Sequence, residues 1–142
     1  MCDLWKSNDG YTITADHVAL LSMKLRKSIT HIGYSGGEPF LRKDLDTFIR
    51  DSSKNFSNLK SISITSHGFN VKRIRRLLPV IFEDITAQNI KFQMNFSLDG
   101  DEYYHEKVRG VEGGFSKTLE SLEFAKSLGI DCSLQCTVGS EN

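Results

Sequence analysis

Several things are scarce in this chain, and each scarcity removes a class of reading. Cysteine occurs three times in 142 residues, an odd number that builds no disulfide framework. Neither sign of charge is in excess, since 18 Lys and Arg balance 18 Asp and Glu. No global attraction to nucleic acid or to an acidic membrane is therefore expected. No apolar run approaches the length that spans a bilayer. Asp3 and Lys6 stand too near the start for a secretory signal. No linker, low-complexity tract or charge block divides the chain. The expectation is one soluble, cytoplasmic domain, long enough to bury a real core.

What is present is a regular alternation of helix and strand patterns. Thr14 is placed to cap a helix over 15–27, with Val18, Leu21 and Leu25 on one face. Residues 29–35 read as a strand. Asp44 opens a second helix, with Leu45, Phe48 and Ile49 at helical spacing, and residues 60–66 read as the next strand. Ile74, Leu77, Leu78, Ile81, Phe82 and Ile85 form a helical stripe interrupted by Pro79, which predicts a kink or break. Residues 90–98 form a third strand. Phe115, Leu119, Leu122 and Leu128 mark a fourth helix ended by Gly129, and residues 130–138 a fourth strand. Connections long enough for helices favour parallel strands. The expected class is α/β, an incomplete TIM-like (β/α) barrel with about four βα units.

The strands alternate in an unusual way for parallel ones, which are normally apolar on both faces. Phe92, Met94 and Phe96 alternate with Gln93, Asn95 and Ser97, while Cys132, Leu134 and Cys136 alternate with Ser133, Gln135 and Thr137. One explanation is a sheet with one wet face. The other is a sheet curled around a polar lumen, a place to hold a polar ligand. Gln93, Asn95, Ser133 and Gln135 are the candidate lumen residues.

Three segments, taken in order, carry a family resemblance. They are Cys2-Asp3-Leu4-Trp5-Lys6, Ser35-Gly36-Gly37-Glu38-Pro39 and Phe96-Ser97-Leu98-Asp99-Gly100. Together they resemble the radical S-adenosylmethionine (SAM) enzymes. In that family three cysteines spaced C-x3-C-x2-C hold a 4Fe–4S cluster whose remaining iron chelates SAM. Reductive cleavage then yields a 5′-deoxyadenosyl radical that abstracts a hydrogen atom from the substrate. The resemblance implies that Cys2 is the third cluster ligand, and that the first strand and two further cysteines precede residue 1. It implies that Gly36, Gly37, Glu38 and Pro39 receive the methionine amine, that Ser97 contacts SAM and that Arg109, on a rim loop, pairs with a carboxylate. Residues 1–142 then form a partial core domain lacking its sixth strand. The implied partners are SAM, an unidentified substrate and an electron donor such as flavodoxin or ferredoxin. Thr65-Ser66-His67-Gly68 departs from the commoner Thr-Asn-Gly turn, so His67 inherits no role.

Other residues invite blander readings. Cys132 and Cys136 copy part of the cluster spacing but fall on the apolar strand face, where they read as core. Lys72, Arg73, Arg75 and Arg76 read as a solvated helix face without the interleaved aromatics of a nucleic-acid site. His31 reads as a satisfied structural histidine. Two other functions stay open: a non-catalytic (β/α) binding module, inert with its single candidate cluster ligand, and a metal-independent barrel enzyme acting on a polar metabolite.

Overall fold

The computed structural model describes residues 12–139. Four strands, β1 (His31–Tyr34), β2 (Ser61–Ser66), β3 (Lys91–Ser97) and β4 (Asp131–Gln135), form one sheet in sequential order. Every pairing is parallel. Five α-helices accompany them: α1 (Ala15–Leu25), α2 (Leu45–Lys54), α3 (Val71–Thr86), α4 (Glu102–Arg109) and α5 (Gly114–Ser127). Sequential parallel strands joined through helices are the arrangement of consecutive units of a (β/α) barrel. The α/β class and its four βα units are as expected. No helix among the described residues is long and apolar enough to cross a membrane.

The apolar strand face packs on the helices. Ile62, Ile64, Phe92, Met94 and Phe96 are buried against Ile49, Ile74, Leu78, Ile81 and Ile85. Of the kink or break expected at Pro79, the break does not occur: α3 continues through it from Val71 to Thr86. Proline costs a helix interior about 3 kcal/mol. The buried stripe on both sides of it contributes roughly 1.5–3 kcal/mol per side chain and outweighs that cost.

Other expectations are corrected. Residues 102–109 form a helix of their own, capped by the Asp101 side chain and ended by Gly110. Arg109 is therefore the last residue of α4 rather than part of a loop. In α1 the Thr14 cap is as expected, but only Val18 is buried, while Leu21 and Leu25 are exposed. Strand β4 is shorter than 130–138, and Cys136 lies beyond it, exposed instead of in the core.

The inner face of α5 is not the stripe of large residues. Gly114, Thr118, Ser121 and Ala125 are buried, one position away from Phe115, Leu119 and Leu122. These small residues let α5 press directly on the turn after β2. Thr118 Oγ1 donates to the His67 carbonyl at 2.7 Å, and Ser121 Oγ to the Gly68 carbonyl at 2.6 Å. Gly68 has φ +80°, and a Cβ there would meet the Thr118 Cα at 3.0 Å.

Gly68→Ala should therefore lose more stability than Gly129→Ala, whose φ of +78° is similar but whose Cβ would meet nothing within 4 Å. The shared left-handed cost is about 1–2 kcal/mol, and the clash at Gly68 adds about 1–3 kcal/mol. Urea unfolding of the two variants measures the difference. Equal losses would mean that α5 yields.

Candidate functional site

All four strands point their C-terminal ends to one rim, where parallel α/β folds keep their sites. The loop after β1 carries the glycines. Gly36 has φ +129°, a conformation L side chains rarely adopt, and a Cβ on Gly36 or Gly37 would meet nothing within 4 Å. The loop thus offers bare main chain to open space. Pro39 then starts a short 3-10 turn, Pro39–Leu41, capped by Glu38.

The Glu38 side chain is only 3% exposed. Its Oε1 accepts from the Phe40 N–H at 3.0 Å and from Ser66 Oγ at 2.8 Å. Its Oε2 accepts from the His67 N–H at 3.0 Å and from His67 Nε2 at 3.1 Å. A buried carboxylate requires such partners. Sequence reasoning placed this carboxylate at the rim, facing a ligand. The structure turns it inward and leaves the loop's main chain outward. Arg73 of α3 secures the following segment through the Arg42 carbonyl at 2.6 Å. Arg75 pairs with Glu120 at 3.2 Å, so part of the basic run serves packing between helices.

His67 is the residue whose part sequence reasoning missed. Nδ1 accepts the Phe69 N–H at 3.0 Å, which puts the ring proton on Nε2, the atom that donates to Glu38. The ring stacks on Phe69 with centroids 4.1 Å apart, and Phe69 meets His105 edge-on at 5.8 Å. Burial pushes both imidazoles below their usual pKa; Arg109 lowers both further, and nearby carboxylates oppose it.

A second buried carboxylate, Asp99, joins the exits of β3 and β4. Arg109 donates Nε and Nη2 to its Oδ2, each at 2.6 Å. Asp99 Oδ1 accepts the Thr137 N–H at 3.0 Å, while the Asp99 N–H donates to His105 Nδ1 at 3.2 Å. The carboxylate that Arg109 pairs with is thus the chain's own. Asp99 is one of the residues of the segment that sequence reasoning singled out for Ser97.

The polar strand face gathers the remaining candidates. Gln93 pairs in register with Ser63 and Asp131, Asn95 with Thr65 and Ser133, and Ser97 with Gln135. Asn95 Nδ2 donates to Thr65 Oγ1 at 3.4 Å, and Ser133 Oγ donates to Asn95 Oδ1 at 2.7 Å. This rung crosses three strands with neutral groups only. Further down, His31 sits between Ser61 Oγ at 2.9 Å and Ser63 Oγ at 3.2 Å, a satisfied structural histidine. A cleft of about 770 Å³ runs beside β1 and the glycine loop, lined by Gly33, Ser35, Gly37, Arg42 and Phe48. Tyr34 borders it, and burial pushes its hydroxyl up to about 12.

Cys2 lies outside the described residues. Among the described residues, no group of three or more His, Cys, Asp or Glu is placed to hold a metal ion. Cys132 is half-buried, donates Sγ–H to the Ile130 carbonyl at 3.3 Å and has its thiol pKa pushed up by burial. It is a poor thiolate donor.

Buried His105 and half-buried His67 predict acid sensitivity. Unfolded histidine titrates near ~6.5, and the folded values lie lower. Below that pH the unfolded chain binds more protons, so stability contributed at pH 7–8 is lost as pH falls through the folded pKa values. Thermal midpoints should decline from about pH 6.5 downward, less steeply in His67→Gln. An unchanged slope in that variant would place the acid sensitivity elsewhere.

The sequence profile of the Radical SAM superfamily matches residues 1–142. A probable GTP 3′,8-cyclase of Sulfolobus acidocaldarius is 30% identical over 132 residues, 91% of this chain and 39% of the relative. One from Methanocella arvoryzae is 28% identical over 127 residues, 88% of this chain and 38% of the relative. The GTP 3′,8-cyclase of Clostridium botulinum strain Okra is 29% identical over 104 residues, covering 72% and 29%. The chain therefore spans about two fifths of the length of the first two. The match over residues 1–142 makes this chain a member of the radical SAM superfamily, enzymes that use a 4Fe–4S cluster and SAM.

Proposed function

We propose that this chain forms part of the SAM-binding core of a radical SAM enzyme. The observation that carries the reading is the glycine loop, whose main chain faces open space while Glu38 anchors it from behind. Bare peptide groups at a strand's C-terminal end suit the amine of an amino-acid ligand, and two glycines let that ligand approach closely. Ser97, at the end of β3 on the polar face, supplies a hydroxyl for SAM. Cys2 serves as one of three thiolate ligands. When bound, the cluster and SAM supply reductive carbon–sulfur cleavage and hydrogen-atom abstraction, driven by a one-electron donor such as flavodoxin or ferredoxin.

Within this reading the other residues bind and orient. Gln93, Asn95, Ser133 and Gln135 present neutral donors and acceptors from the polar face, suited to a base edge or to sugar hydroxyls. Relatives named as GTP 3′,8-cyclases make a guanine nucleotide the first substrate to test. Arg109 serves through Asp99, bracing the exits of β3 and β4.

The full-length protein, reconstituted anaerobically, should hold about four irons per chain, and Cys2→Ala should abolish that loading. Gly36→Val places a β-branched residue at φ +129° and should weaken SAM binding by about tenfold or more. Iron analysis and equilibrium dialysis with labelled SAM measure both. Neither iron nor SAM bound would leave a non-catalytic module as the better account.

A further inference from the structure

We propose that His67 is a positioning residue for the glycine loop: its Nε2–H, donated to Glu38, holds Gly36 and Gly37 in the main-chain geometry that grips the amine end of SAM. This rests on the reading of that loop given above.

The argument begins with the division of labour around Glu38. Oε1 takes its partners from Phe40 and Ser66, whereas both partners of Oε2 come from residue 67, through its main-chain N–H and its ring. Removing the ring donor leaves a buried carboxylate oxygen one partner short. Two consecutive glycines have little conformational preference of their own. Their geometry therefore depends on how firmly residue 38 is held.

His67 is itself held firmly. Its Nδ1 accepts the Phe69 N–H, its ring stacks on Phe69 at 4.1 Å, and its carbonyl accepts from Thr118 at 2.7 Å. The side chain thus meets two requirements at once: an acceptor toward Phe69 and a donor toward Glu38. Glutamine carries its amide nitrogen about as far from the main chain as Nε2 and preserves the donor. Asparagine reaches only as far as Nδ1, so it preserves the acceptor and loses the donor. Phenylalanine keeps ring bulk and loses both. The three substitutions separate donor, acceptor and shape.

The test uses the full-length, cluster-loaded protein. SAM dissociation constants come from anaerobic equilibrium dialysis, and cooperative thermal unfolding confirms that each variant folds. His67→Asn and His67→Phe should weaken SAM binding about tenfold, and His67→Gln should stay within about twofold of wild type. In a Glu38→Gln background, His67→Phe should add less than about twofold, because the two residues act as one unit. If His67→Phe fails to fold, the Asn and Gln variants carry the comparison. Unchanged SAM affinity in His67→Asn, with a lowered melting temperature alone, would overturn the proposal. So would equal weakening by Gln and Asn, or additive effects with Glu38→Gln. Gly36→Val keeps the two readings apart. If it weakens SAM binding while His67→Asn does not, only the role of His67 fails. If it leaves binding unchanged, the loop reading falls and this proposal with it.

Discussion

The rim of this sheet depends on one burial, that of the Glu38 carboxylate. Placing an ionised carboxylate out of water costs several kcal/mol unless it is surrounded by donors. Four donors meet it here. Each has consequences further along the chain. Ser66 stands where Ile62 and Ile64 would lead one to expect another apolar residue, because its hydroxyl is needed at Oε1. His67 then turns back to the carboxylate and the Gly68 N–H to the Ser66 hydroxyl, and Gly68 lies against the Thr118 backbone. A large side chain on α5 has no room there, so the helix presents Thr118 and Ser121 instead.

Asp99 plays the same part on the other half of the rim. Its side chain is 2% exposed, and it ties the exit of β3 to the exit of β4, as Glu38 ties β1 to β2. The ring series His67, Phe69 and His105 spans the gap between them. The rim thus consists of two anionic staples joined by an aromatic bridge. The neutral rung of Thr65, Asn95 and Ser133 lies on the polar face of the sheet beside it. Both buried carboxylates thus serve to fix loops at the rim.

Much of this was legible in the sequence, because period-2 alternation and helical stripes report burial directly. The strands β1 to β3, the helix stripe of α3 and the shared face of Gln93, Asn95 and Ser133 all follow from local pattern. The rest depends on contacts between distant residues. Nothing near Glu38 says that its carboxylate turns inward, since its partners Ser66 and His67 lie 28 and 29 residues away. The small face of α5 was hidden by a neighbouring stripe of Phe115, Leu119 and Leu122, which has helical spacing but lies one residue off. Asp101 and Gly110 bracket α4 with clear start and stop signals. Those signals lie in a stretch whose Gly100 and Gly110 equally suit a loop.

The contact between α5 and the turn after β2 also bears on when the site takes shape. Strands pair here across intervals of about thirty to forty residues, so the sheet can grow one unit at a time as the chain lengthens. The glycine loop is not finished when its own unit is. It waits for Ser66 and His67, and the turn carrying those residues waits for Thr118 and Ser121, another 51 and 53 residues on from His67 and Gly68. A motif encoded early is therefore among the later parts to become rigid.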